Sequence, residues 1–127
     1  MLPLMSTPLA TRGYRDLDVW QRALELAVET NRLAARLPDC EKYGLAVQVR
    51  RAAFSVPANI AEGNRRAHRR EYIQHVSIAR GSLAELETGL EVIVRSSYLP
   101  QSDVTPAAEL TDRVGRMLTQ LLASLRA

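Results

Sequence analysis

Apolar residues recur along this chain at the three- and four-residue spacing of a helix. The clearest run is Tyr72, Val76, Ala79, Leu83, Leu86, Leu90, Ile93 and Ser97, which alternates steps of four and three in the heptad rhythm of bundle packing. Similar patterns predict helices over 16–37, 41–62, 69–97 and 102–125, punctuated by Pro38, Gly63 and Pro100. Proline after a helix and glycine at its C-terminal cap are physical stop signals. Helices of about 20–30 residues span about 30–45 Å at 1.5 Å per residue, and short connections force neighbours to run antiparallel. The pattern therefore predicts an all-α, antiparallel up-down-up-down four-helix bundle over residues 14–127, preceded by a flexible tail at 1–13.

The first two helices carry more apolar surface than one core needs. In the first, Asp18, Gln21, Arg22, Glu25, Glu29, Arg32 and Arg36 fall on one stripe, and nearly everything else is apolar or small. In the second, Leu45, Val49, Ala52, Val56 and Ile60 form one stripe, while Tyr43, Val47, Phe54 and Ala61 form another, nearly opposite. A helix in a single bundle buries an arc only somewhat over 100° wide. The surplus points to self-association through Val19, Trp20, Leu26, Leu33, Tyr43, Val47 and Phe54; the alternative is semi-exposed aliphatic surface.

Composition narrows the class without naming a task. The 127 residues suit one domain, and the low aromatic content of 5% favours helices packed through aliphatic side chains. Net charge is +3, a mild basic bias that permits an anionic partner. The single cysteine, Cys40, excludes an intrachain disulfide and a CxxC metal site, which points to the cytosol. Residues 1–13 have no continuous apolar run, so neither a signal peptide nor a membrane anchor is expected, and no segment reaches the ~18 apolar residues of a spanning helix.

No catalytic constellation is visible. Ser55 lacks a strand–turn–helix elbow and a neighbouring base. His68 and His75 share a heptad spacing but no further ligands at helical intervals, so no metal or other cofactor is expected. Gln48, Arg51, Ser55, Asn59 and Glu62 lie on one side of the second helix, and Glu71, Ser82, Glu85 and Gly89 on one side of the third. A hairpin centred near Arg66 sets Arg51 opposite Ser82, Gln48 opposite Glu85 and Glu62 opposite Glu71. The expected result is an interhelix network in which Arg51 pairs with Glu85 and small Gly81, Ser82 and Gly89 allow close approach. A polar ligand pocket is the alternative. Pro57, inside the second helix, deletes a backbone hydrogen bond and predicts a kink.

Several of these residues stand in an order that resembles a known family. Tyr14-Arg15-Asp16-Leu17-Asp18-Val19-Trp20-Gln21, Tyr43-Gly44-Leu45, Gln48-Val49-Arg50-Arg51-Ala52, Ser55-Val56-Pro57-Ala58-Asn59-Ile60-Ala61-Glu62-Gly63, Ala79-Arg80-Gly81-Ser82-Leu83-Ala84-Glu85-Leu86-Glu87-Thr88 and Tyr98-Leu99 resemble the bacterial four helix bundle protein family. That family includes proteins encoded within intervening sequences of large-subunit ribosomal RNA genes. The resemblance covers 14–99 and implies a ring-like homo-oligomer, commonly a pentamer, with no settled activity. A more distant similarity, to the accessory proteins of diversity-generating retroelements, implies nucleic-acid binding or partnership with a reverse transcriptase. His68 stands where the family usually has serine three residues before Glu71, so a capping box is weakened and the third helix is expected to start nearer Asn64.

The strongest functional clue is Asn64-Arg65-Arg66-Ala67-His68-Arg69-Arg70, at the turn between the second and third helices. In an up-down bundle it shares an end with Arg12, Arg15 and Arg126, away from Asp39, Glu41 and Asp103. Arginine forks suit phosphate oxygens, so Arg65, Arg66, Arg69 and Arg70 are the candidate contacts to RNA or DNA backbone. A solubilising loop on a protein–protein adaptor is the rival, and neither reading is enzymatic.

Overall fold

A computed structural model describes residues 13–127; Arg12 and the rest of the expected tail lie outside the described residues. Gly13 itself belongs to a short 3-10 turn, Gly13–Asp16. Four helices follow: α1, Asp18–Ala34; α2, Leu45–Asn64; α3, Arg69–Arg95; and α4, Gln101–Arg126. Each helix packs on its chain neighbours, and α4 closes the square against α1. Among the described residues there is no strand, and no helix is long and apolar enough to cross a membrane.

The core is the predicted seam. Val76, Ala79, Leu83, Leu86, Leu90 and Ile93 of α3 are buried against Val49, Ala52, Val56 and Ile60 of α2 and Ala23, Leu26 and Leu33 of α1. From α4 come Val104, Ala107, Val114, Leu118 and Leu122. Burying each large aliphatic chain contributes about 1.5–3 kcal/mol before conformational entropy is subtracted. Thr30 and Thr111, both buried, satisfy their hydroxyls on the carbonyls of Leu26 and Ala107 at 2.8 Å, so neither strands a polar group.

The helix ends depart from expectation for local reasons. Residues 39–41 form a separate 3-10 turn rather than the start of α2. The Glu41 carboxylate accepts the Leu45 N–H at 3.0 Å and the Tyr98 hydroxyl at 2.8 Å, so one side chain caps α2 and ties it to the α3–α4 turn. Gly63 does not cap α2 but sits inside it, buried. A Cβ there would lie 2.7 Å from His75 Cβ and 3.0 Å from Tyr72 Cδ1, so its role is close helix approach. The helix α3 starts at Arg69, not nearer Asn64, and His68 occupies its N-cap position without a side-chain hydrogen bond. It ends in a Schellman turn: Ser97 N–H meets the Val94 carbonyl at 2.9 Å and Tyr98 N–H the Ile93 carbonyl at 3.0 Å, with Ser97 at φ 62°. Pro57 is buried within α2, which continues unbroken across it.

The α2–α3 register lies one helical turn from the expected one. Ser82 meets Ser55 rather than Arg51, and Gly89 abuts Val49. Close packing at Gly63 and Gly89 selects this alignment. Gly81 plays no part in the approach: it is exposed, and among the described residues an added Cβ meets nothing within 4 Å.

Candidate nucleic-acid interface

The turn between α2 and α3 is short because α2 runs on to Asn64 and α3 starts at Arg69. Its arginines therefore emerge from helix ends rather than from a loose loop. Arg65, Arg66, Arg69 and Arg70 are all exposed, but their surroundings differ. Arg66 Nη2 donates to Glu62 Oε2 at 2.7 Å, across one turn of α2. Arg65 lies over the Tyr14 ring, 5.5 Å from its centroid. Arg69 and Arg70 have no ion-pair partner among the described residues. They lie in the first turn of α3, where backbone N–H groups lack a side-chain cap and the helix dipole adds to the positive field.

The N-terminal turn brings a fifth arginine. Gly13, at φ +67°, adopts a backbone that other residues rarely take, and it lies beside Asn64: an added Cβ would be 3.5 Å from Asn64 Oδ1. Arg15 is thereby set 5.9 Å from the Tyr14 centroid and 5.6 Å from that of Trp20. The two rings meet edge to face at 5.0 Å. Arg126, the other arginine expected at this end, is exposed at the close of α4.

Beside this corner runs a chain of polar contacts between α2 and α3. Ser82 Oγ donates to Ser55 Oγ at 2.7 Å, and Asn59 Nδ2 donates to the same oxygen at 3.0 Å and to the Ser55 carbonyl at 2.9 Å. With that amide nitrogen donating, Asn59 Oδ1 accepts from His75 Nδ1 at 2.9 Å, which assigns the Nδ1–H tautomer. His75 Nε2 lies 3.9 Å from Glu62 Oε2, an ion pair only when the ring carries both protons. Glu62 thus joins the seam to Arg66 of the corner. Nearby, Asn64 Nδ2 donates to the Tyr72 hydroxyl at 3.2 Å.

Of the seven residues expected in this network, Ser55, Asn59, Glu62 and Ser82 meet in it. Arg51 and Glu85 do not pair; both are exposed and, among the described residues, no ion pair joins them. Gln48 and Glu85 instead flank a groove of about 300 Å³ between α2 and α3, whose floor includes Val49 and Gly89. His75 was the missing member. Its signal lay in the heptad spacing of His75, Ser82 and Gly89, a polar-to-small stripe beside the apolar seam.

The expected interface residues separate in the same way. Val19, Leu26 and Leu33 belong to the chain's own core and are 6%, 0% and 2% exposed. The arc of α1 that faces α2 and α4 takes them, leaving half-buried Leu24 and exposed Val28 as the surplus. Trp20 and Val47 are half-buried. Tyr43 and Phe54 stand out at 86% and 69% exposed. Among the described residues no group of three or more His, Cys, Asp or Glu side chains converges on a metal-sized space.

Two carboxyl–phenol partners have shifted titrations. The Leu45 N–H and then the Tyr98 hydroxyl hold the Glu41 carboxyl below its usual range. The bond to Glu41 is the main reason that the Tyr98 phenol is pushed up to about 12.

The fold and its polar seam define a small helical bundle with a cluster of exposed arginines at one corner. The chain belongs to the 23S rRNA-intervening sequence protein family, whose model matches residues 15–120. Its fold is similar to the crystal structure of a protein with unknown function from the S23 ribosomal protein family of Bacteroides thetaiotaomicron. The TM-score is 0.77 at 24% identity, over 82% of this chain and 97% of that one. None of the curated proteins compared matches the chain.

Proposed function

We propose that this protein is a non-enzymatic helical scaffold that self-associates, as a ring-like pentamer, and holds RNA or DNA by its backbone at the α2–α3 corner. The observation that carries the reading is the corner itself: four exposed arginines within residues 65–70, of which one is compensated by Glu62 and two, Arg69 and Arg70, have no ionic partner among the described residues. A ring would repeat this corner in every subunit and turn a modest net charge into a positive collar. Self-association is supported by Tyr43 and Phe54, large side chains left open to water by the single chain.

Fluorescence polarisation with a structured RNA tests the reading. Each phosphate contact adds about 0.9 to the slope of log affinity against log salt, so replacing Arg69 and Arg70 with alanine should flatten that slope by about 2. Affinity should fall for all sequences alike. An absence of binding at low salt, or affinity unchanged when all four arginines are replaced, overturns it.

The same exposed Tyr43 and Phe54 favour a second reading, an adaptor whose partner is another protein, such as a reverse transcriptase, with the arginines only solubilising. Light scattering with and without RNA separates the two: a scaffold for nucleic acid gains mass with RNA, an adaptor does not.

A further inference from the structure

A phosphate-binding corner needs only positive charge, yet this one also holds aromatic rings in register with two of its arginines. Tyr14 and Trp20 meet edge to face, Arg15 lies over both, and Arg65 reaches Tyr14 from the other segment of chain. The arrangement is held from below. Trp20 packs on the core, the Leu17 N–H bonds the Tyr14 carbonyl at 3.0 Å, and Gln21 Nε2 bonds the Arg15 carbonyl at 3.1 Å. Both guanidinium groups are on exposed residues. A guanidinium packed over a ring has a second planar face, and a planar cation of this kind stacks on a nucleobase as readily as on an aromatic side chain.

We propose that the Tyr14–Trp20–Arg15–Arg65 cluster is a stacking site for an unpaired nucleobase, so that the corner takes single-stranded nucleic acid in preference to duplex. This rests on the backbone-binding reading above and extends it. Arg69 and Arg70 hold phosphates, while Arg15 and Arg65 extend a π-stack onto a base that a duplex keeps hidden between its neighbours. The division of labour follows from the partners: among the described residues Arg69 and Arg70 have no ring beneath them, and Arg15 and Arg65 do.

Trp20 is the chain's only tryptophan, so its fluorescence reports on this site alone. The probes are an unstructured RNA decamer, the DNA decamer of the same sequence, an abasic decamer of equal charge and a ten-base-pair duplex. The base-bearing single strands should bind about tenfold more tightly than the abasic strand, the usual scale of one stacked base, and should quench Trp20. Arg65→Lys, which keeps the charge and loses the plane, should remove that advantage. Tyr14→Leu should act like Arg65→Lys, and Tyr14→Phe like the parent, with circular dichroism confirming the fold of each. Equal binding of base-bearing and abasic strands with Trp20 unmoved overturns the stacking site and leaves backbone binding standing. A base advantage that survives both Arg65→Lys and Tyr14→Leu also overturns it. No binding to any probe removes both readings.

Discussion

Gly81 and Gly89 lie eight residues apart on the same helix, and replacing each with alanine should move stability in opposite directions. At Gly81 an added Cβ meets nothing within 4 Å among the described residues, so alanine brings only the helix-interior gain of about 0.5–1 kcal/mol. At Gly89 the same atom would lie 2.5 Å from Val49 Cγ1, whereas carbon atoms rest at about 3.5–4 Å. Val49 cannot swing aside: it is 2% exposed, and a β-branched chain in a helix has one strongly preferred rotamer. One of the helices must therefore shift by about 1 Å, and such overpacking costs about 1–3 kcal/mol. Set against the propensity gain, Gly89→Ala should be destabilised by about 1 kcal/mol, a fall of about 4 °C in Tm for a domain of this size. Urea unfolding followed by circular dichroism reads both variants. The mechanism also predicts coupling: with Val49→Ala in the background, the clash disappears, and the double variant should be more stable than the sum of the singles by about 1 kcal/mol or more. Equal signs at Gly81 and Gly89, or additive behaviour of Gly89→Ala with Val49→Ala, would refute the argument that this contact sets the α2–α3 spacing.

Other consequences are as direct. Ser97→Gly should stabilise the protein by about 0.5–1 kcal/mol, because serine bears the left-handed backbone of the Schellman turn that glycine takes freely; an unchanged urea midpoint counts against it. A cycle of Asn59→Ala and His75→Ala should show coupling of about 1 kcal/mol, and independent effects would mean that the 2.9 Å contact contributes nothing. The Glu41 carboxyl titrates below its unfolded value, so its stabilisation is present above the ordinary carboxylate pKa of 4.5 and is lost as pH falls through the depressed folded value. Glu41→Gln should therefore lower Tm at neutral pH, with the difference from the parent closing in acid; a constant gap across the acid range would contradict this. Phe54→Glu should lower the mass seen in light scattering while leaving the helical signal intact, and an unchanged mass would exclude this edge of α2 from self-association.

The local pattern along the chain was sufficient for the architecture. Four apolar periodicities, separated by Pro38, the Gly63–Arg69 turn and Pro100, leave little choice but four antiparallel helices, since each stripe must be buried and the connections are short. The apolar seam of α3 was legible from Val76 to Ile93, though Tyr72 is only half-buried and Ser97, expected to extend the seam, is exposed in the turn beyond the helix; the arginines of the corner were legible too, because both depend on spacing along one helix or one turn. What spacing could not decide was how two helices slide and rotate against each other. Atoms at Gly63 and Gly89 too close to admit a Cβ set the α2–α3 register one turn from the simplest hairpin. That shift brought Ser82 to Ser55 and set His75 between Asn59 and Glu62. Likewise the wide apolar arc of α1 was visible, but only the positions of α2 and α4 decided that Val19, Leu26 and Leu33 are core while Phe54 stays in water. Periodicity specifies which face of a helix is buried; contacts between helices, absent from any single segment, specify against what.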